Sequence, residues 1–371
     1  MIAVPAGIEV GEDELQRALR RQIDQGLGTG NRRILLRDIV ARVFDAARRV
    51  QTGELLRLAY SVKTNPSREI LGAARDAGMY AEVISPQELE HARDCGFSAD
   101  EIIYNGPHPA RYCCDRPGYV FADSMEAFAD AARRFANSLV GVRIRPPRIP
   151  SRFGVPFDRL DELCSVIREE RVRRLGVSFH VRPEDYGEYD FRGLWETVLR
   201  FCAELERRSG AAIVAFDAGG GKRPAELDRM LREGVLETLI SQAAHRLHHL
   251  RNVLLEPGQA LAAPCEAVIA TILEVRRSQG TVDEIVVDAG YPDLPQIHSY
   301  PHRVFWLRKT EAHVARAGRG RVLGNTCLEY DVLCEGVELE GCRIGDSLAI
   351  ADAGAYDASM SFKFARGSRS L

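Results

Sequence analysis

The stretch Leu58-Ala59-Tyr60-Ser61-Val62-Lys63-Thr64-Asn65-Pro66 decides the fold. Leu58 to Val62 is a short apolar run of the kind that forms a strand buried on both faces. It ends on a lysine, and Asn65-Pro66 then reads as the cap and first residue of a helix. The same order of apolar run, turn and amphipathic segment recurs through the chain, as expected of βα units around a parallel sheet. The other runs are Tyr80 to Ile84, Ile102 to Tyr104, Tyr119 to Ala122, Leu139 to Ile144, Leu175 to Val181, Ile213 to Phe216 and Asn252 to Leu255. Ser85-Pro86-Gln87-Glu88 reads as a capping box with proline at the first helical position, and Asp123-Ser124-Met125-Glu126 opens another helix. Eight such units over roughly 200 residues predict an α/β chain whose sheet closes into a (β/α)8 barrel, with a doubly wound open sheet as the alternative. The barrel is placed at residues 38–262.

Beyond residue 263 the texture becomes β-rich, with runs at Ala267 to Val275, Glu284 to Val287, Arg303 to Leu307 and Ser347 to Ala351 separated by Gly-rich turns. These runs predict a second, mostly β domain made of residues 263–371 together with 1–37, in which Ile34 to Arg37 joins the carboxy-terminal sheet. The segment Gly26-Leu27-Gly28-Thr29-Gly30-Asn31 superficially resembles a nucleotide fingerprint. A dinucleotide fold needs a strand before the glycines and a helix after them; here the order is reversed, so the segment reads as a linker.

Composition narrows the function. The 371 residues carry 50 Lys+Arg against 53 Asp+Glu, a formal charge of −3, which gives no global field for nucleic acid or an anionic membrane surface. The nine cysteines are odd in number and never spaced C-x-x-C, which argues against a disulfide framework or zinc ribbon and fits a reducing compartment. The amino terminus lacks a basic segment followed by an apolar core, and the apolar stretch Val253 to Leu273 is broken by Glu256, Pro257, Pro264 and Glu266. A cytoplasmic protein acting on a small molecule is expected. His245, His248 and His249 read as a solvated helix face away from the strand ends, and no metal site is expected.

Reactive groups of a barrel project from the carboxy ends of its strands. Those positions here hold Lys63, Ser85, Asn105-Gly106, Asp123, Arg143, His180, Gly219-Gly220-Gly221 and Glu256-Pro257-Gly258. Three consecutive glycines after the seventh strand let backbone N–H groups approach an anion, and that region is where barrels commonly hold phosphate. A phosphate site beside a lysine amine points to a pyridoxal phosphate Schiff base.

The motifs Ala59-Tyr60-Ser61-Val62-Lys63-Thr64-Asn65-Pro66, Ser178-Phe179-His180-Val181, Asp217-Ala218-Gly219-Gly220-Gly221, Glu256-Pro257-Gly258, Cys327 with Asp331, and Asp352-Ala353-Gly354-Ala355-Tyr356 occur in this order. In that order and spacing the chain, from about residue 34 to 364, resembles the fold type III pyridoxal phosphate decarboxylases, relatives of ornithine and diaminopimelate decarboxylases. The resemblance implies that Lys63 carries the cofactor and His180 stacks on its ring. It implies that Gly219, Gly220 and Gly221 hold the phosphate with Tyr356, and that Glu256 faces the pyridine nitrogen. Gly258, Ser85 and Arg143 align with positions near the cofactor. Cys327 is similar to the family's proton-donating cysteine, which reaches the cofactor from the partner of a homodimer with shared sites.

The departures bear on substrate. Gln259 replaces an arginine, Leu328 an acidic residue after the cysteine, Tyr300-Pro301 a Tyr-Asp pair, Gln296 an arginine, Glu82 an aspartate and Arg182-Pro183 a Gly-Ser pair. A buried distal charge would find no partner among Leu328, Tyr300 and Gln296, the residues implied to meet the substrate's far end along with Tyr356. The expected substrate is therefore an α-amino acid or amino-acyl group with a neutral, masked or conjugated far end, free or carrier-bound, as in specialised metabolism of the siderophore or antibiotic type. The alternatives are a diaminopimelate- or ornithine-type decarboxylase with altered contacts, or a racemase or epimerase on the same barrel. In alanine racemase the ring nitrogen faces an arginine, and Glu256 argues the other way.

Overall fold

The structure, a computed structural model, describes residues 7–25, 31–51, 53–113, 115–182, 190–308 and 311–364. Residues 26–30, Cys114 and Pro183, each of which bears on an expectation above, lie outside the described residues. The chain divides into two compact units: one holds Gly7 and Ile8 with Phe44–Ala260, and the other holds Glu9–Val43 and the chain from Leu261 onward.

The strands in chain order are β1 (Arg32–Leu35), β2 (Leu56–Ser61), β3 (Tyr80–Val83), β4 (Ile102–Tyr104), β5 (Tyr119–Ala122), β6 (Leu139–Arg145), β7 (Val155–Pro156), β8 (Arg174–Ser178), β9 (Ala212–Asp217) and β10 (Asn252–Leu255). In the first unit β5, β4, β3, β2, β10, β9, β8 and β6 pair in that order, and β5 pairs with β6 to close the ring. Every pair in the ring is parallel. This is the (β/α)8 barrel, and each expected strand is in it; the open sheet is excluded by the β5–β6 pairing.

The barrel interior is a packed core. Ala59, Ile103, Tyr119, Phe121, Ala215 and Leu254 form one cluster inside it. A Cβ at Gly141 or Gly176 would come within 2.4 or 2.7 Å of the Phe121 ring, so these two glycines make room for that ring. Phe121 thereby fills the centre and also lines the cavity described below.

One helix start differs from expectation, and one capping box is altered. The first helix after β2 is Arg68–Asp76 with Ser67 as its N-cap, so it starts later than Asn65-Pro66 predicts. The residue before a proline is pushed to extended backbone, and Asn65 has φ −155° and ψ 108°; its Oδ1 accepts from the Ser67 N–H at 3.0 Å. Ser85 does cap Pro86–Asp94, its Oγ accepting from the Glu88 N–H at 3.2 Å. The reciprocal bond is shifted by one residue, because Glu88 Oε2 accepts from Ile84. Ser124 caps Met125–Arg134 as expected.

The second unit is a curled sheet. Its remaining strands are β11 (Glu266–Ser278), β12 (Thr281–Val287), β13 (Val304–Arg308), β14 (Glu311–Val314), β15 (Ala317–Leu323), β16 (Val332–Val337) and β17 (Ser347–Ala351). The long β11 pairs with β17 along its first half and with β12 along its second, and register shifts at Ile272/Glu274 and Arg276/Arg277 let it bend between the two. β1 pairs antiparallel with β11, Ile34 opposite Ala267, as the sequence predicts, although Arg37 already belongs to the following helix. Val268, Ile272, Ile285, Val287, Val322, Leu348 and Ile350 are among the buried core of this unit. Among the described residues no helix is long and apolar enough to cross a membrane.

Candidate active site

A cavity of about 660 Å³ opens at the carboxy ends of the barrel strands. Lys63, Glu82, Asn105, Asp123, Arg143, Ser178, His180, Asp217, Gly219 and Glu256 line it. Of the residues expected at the cofactor, Lys63, Arg143, His180, Gly219 and Glu256 are thus brought together. Lys63 sits in a short 3-10 turn, Val62–Thr64, that follows β2, and its Nζ pairs with the buried Glu82 carboxylate. Arg143, in the second half of β6, donates to the His180 carbonyl at 3.2 Å and packs its guanidinium over the Phe153 ring.

The glycine loop is shaped by close backbone approaches. Gly219 has φ +63°, and its N–H donates to Asp217 Oδ1 at 2.8 Å. A Cβ on Gly220 would stand 2.3 Å from the Glu256 carbonyl oxygen, so no larger residue fits there without moving the backbone after β10. The Gly220 N–H donates to His180 Nδ1 at 3.0 Å. An imidazole nitrogen that accepts is unprotonated, which places any proton of the neutral ring on Nε2. Burial, reinforced by Arg143, Lys63, Lys222 and Arg182, pushes the His180 pKa down to about 3, so the ring is neutral over the working pH range.

Glu256 is the counterpart of this neutral ring. Its Oε1 accepts from the Asn105 side-chain amide at 2.5 Å. Burial, with Asp217 and Glu82 beside it, holds its pKa well above the ordinary carboxyl range. Burial likewise raises Asp217 to about 7. Asp217 Oδ2 is buried and has no donor in reach while both carboxyls are ionised, but a proton held between the two acids satisfies it. Asp217 and Glu256 are thus buried acids whose ionised form needs a cationic partner, and a protonated ring nitrogen beside Glu256 would be one. The residues fit a pyridine cofactor.

The raised pKa values carry a sign. Between the unfolded and folded pKa of the pair, the cofactor-free folded state binds more protons than the unfolded chain, so this pair's stabilising contribution falls as pH rises. His180, held neutral, works in the opposite direction below its ordinary pKa. The difference between two variants isolates the acids. In cofactor-free protein, Glu256→Gln gains melting temperature relative to wild type as pH goes from about 5 to about 7, because the amide replaces the shared proton. A difference independent of pH would remove the shared proton from this account.

The other expected residues are not among those lining this cavity. Ser85 Oγ is engaged as a helix cap, and Gly258 packs close to Thr64 and Ser61 on the barrel. Cys327 is exposed in the turn between β15 and β16, where Thr326 and Asp331 hydrogen-bond and Leu328 N–H donates to Thr326 Oγ1. Tyr356 has φ +65° and sits in a braced loop. Arg303 grips Asp352 through two 2.6 Å bonds, and Asp357 accepts from the Gln296 N–H and the Tyr300 hydroxyl. The Tyr300 hydroxyl also contacts Ala355 O at 2.6 Å, so its polar atom serves this loop, and the Gln296 amide faces Met360 Sδ. His245, His248 and His249 are all exposed, but only His245 lies on the helix Val235–Arg246; His248 and His249 sit in the turn that follows it, so the expected helix face is not one face.

Two residues have roles that sequence reasoning left unassigned. Asp217 is the last residue of β9, the position where barrel strands present reactive groups, and in the sequence it stands out only as the first residue of the glycine motif. Lys222 directly follows the glycines, and nothing in its neighbours signals that it is buried.

A parallel barrel with a lysine, a neutral histidine and a buried glutamate around one mouth defines a pyridoxal phosphate enzyme of the barrel type. The family model for the pyridoxal binding domain of pyridoxal-dependent decarboxylases matches residues 36–263, and the chain belongs to that family, with pyridoxal 5'-phosphate as its cofactor. It is similar to the diaminopimelate decarboxylase of Bacteroides thetaiotaomicron, 25% identical over 328 residues covering 80% of this chain and 82% of the relative. The ornithine decarboxylase of Schizosaccharomyces pombe is 26% identical over 323 residues, covering 80% and 72%. In fold it matches the lysine decarboxylase of Selenomonas ruminantium with a TM-score of 0.74 at 19% identity, over 97% of this chain and 94% of that one. The diaminopimelate decarboxylase of Helicobacter pylori complexed with L-lysine gives 0.74 at 18% identity, over 93% and 91%. The protein is a pyridoxal phosphate-dependent amino-acid decarboxylase.

Proposed function

We propose that the enzyme decarboxylates an α-amino acid or amino-acyl substrate whose far end is neutral, masked or conjugated, in specialised metabolism. The observation that carries the chemistry is the buried acid pair Asp217–Glu256 opposite Lys63 in the barrel mouth. When bound, the cofactor supplies a ring that accepts the electron pair left by departure of the carboxylate. Lys63 is the amine that attaches it, with Glu82 as the acceptor beside that amine. Glu256, oriented by Asn105, would hold a proton at the ring nitrogen, and neutral His180 would lie beside the ring without adding a competing positive charge. The loop Gly219-Gly220-Gly221 would hold the phosphate through its N–H groups not already engaged by Asp217 and His180, with Tyr356 as the hydroxyl that family resemblance adds. Cys327 gives the proton that replaces the carboxylate, acting from the partner in a homodimer.

The substrate reading is supported by Leu328, Pro301 and Gln296, which stand where family resemblance puts partners for a distal charge. Ile84, Pro107 and Phe153 add apolar wall to the cavity. A substrate panel tests it. Diaminopimelate, ornithine and lysine should turn over with kcat/KM at least about 100-fold below amino acids in which the distal group is acylated or absent, the order of effect expected when a buried charge lacks its partner. Turnover of plain diaminopimelate or ornithine at the higher rate would overturn it.

A further inference from the structure

Lys222 is a buried lysine with no assigned task. It follows Gly219-Gly220-Gly221 directly, is 3% exposed, and among the described residues has no carboxylate within ion-pair distance. Its Nζ lies over the Phe191 ring at 4.0 Å and reaches one carbonyl, that of Gly220, at 3.5 Å, the edge of hydrogen bonding. An ammonium in such a place is costly unless an anion arrives, and burial lowers its pKa to about 8. Glu256 and Glu226 act on it only from a distance.

The surrounding loop has matching donors. The N–H of Gly219 is used by Asp217 and that of Gly220 by His180. The N–H groups of Gly221 and Lys222 have no partner among the described residues. Lys222 follows Gly219, which lines the mouth, by three positions, and its charge adds to those that keep the His180 imidazole neutral. Two free backbone donors and one unpaired, desolvated ammonium on consecutive residues form a site for a compact dianion.

We propose that Lys222 is a positioning residue for the cofactor's phosphate, closing an ion pair with it from within the glycine loop. The proposal rests on the cofactor assignment above and adds the cation that neutralises the anionic end. It makes two opposite predictions. Without cofactor the ammonium is a burden, so Lys222→Met does not lower, and tends to raise, the melting temperature of the cofactor-free protein. With cofactor the same change removes a charge-assisted contact.

The test titrates cofactor-free wild type, Lys222→Met and Lys222→Arg with pyridoxal phosphate and with pyridoxal, which has the ring and aldehyde but no phosphate, following the absorbance change. Lys222→Met should weaken pyridoxal phosphate about 10-fold or more while leaving pyridoxal within about 2-fold, and Lys222→Arg should recover most of the loss. Equal weakening of both ligands, or no weakening of either, would overturn the proposal. If Lys222→Met does not fold, Lys222→Gln against Lys222→Arg carries the same comparison of ligand ratios. Failure of the cofactor assignment itself would look different, because neither ligand would then bind wild type at Lys63.

Discussion

Lys63→Ala should lower decarboxylation by at least about 10^4-fold, since the amine that attaches the cofactor acts as a unit with everything that follows. Reduction of the holoenzyme with borohydride, followed by peptide mass analysis, should place the cofactor on Lys63 in wild type and on no residue of the variant. Alanine also strips the ammonium from Glu82, whose side chain is 2% exposed, so part of any defect could be a loss of folding. Lys63→Arg separates the two effects. Arginine keeps a cation beside Glu82 but cannot attach the cofactor, so it should be as inactive as alanine and melt at a higher temperature. An active Lys63→Arg enzyme, or a reduced adduct on another lysine, would contradict the assignment.

Cys327→Ala should cost about 10^2- to 10^4-fold, the range for loss of a positioned proton donor. Because the proton is proposed to come from the partner, the decisive result is complementation. Mixing inactive Lys63→Ala and Cys327→Ala chains makes dimers in which one site has lost both groups and the other retains both. Random exchange then restores roughly a quarter of wild-type activity, by the statistics of pairing in a two-fold dimer. No recovery after subunits have demonstrably exchanged would place Cys327 in the same chain's site or outside the chemistry. The exposure of Cys327 is in keeping with a residue that completes a site in a partner.

The barrel was legible because its strands are buried on both faces and end at recognisable turns. Leu58–Val62 and Asn252–Leu255 differ from β2 and β10 by at most two residues at either end. β14, β15 and β16 escaped notice for the converse reason. The sequence Ala317-Gly-Arg-Gly-Arg-Val-Leu of β15 is mostly solvent-facing and charged, and only Gly320 and Val322 within it are buried. Such a strand is specified by its neighbours in the sheet rather than by its own composition.

The same division runs through the site. Lys63, His180 and Glu256 could be found because a barrel confines reactive groups to strand ends, and a linear sequence records where strands end. What the sequence does not record is proximity across the mouth. Asn105 and Glu256 are 151 positions apart yet share a hydrogen bond, and the pKa values of Asp217 and Glu256 are raised chiefly because folding desolvates both. Lys222 was invisible for a similar reason: a lysine after three glycines ordinarily points into solvent, and its burial depends on Phe191 from a separate helix.

The central claim is loss of the carboxylate with reprotonation at Cα, and product analysis in heavy water tests it most directly. Holoenzyme incubated in D2O with amino acids of uncharged far end should release CO2 and yield the amine carrying one deuterium at Cα. Return of the amino acid with its carboxylate retained and its Cα inverted and deuterated would contradict it.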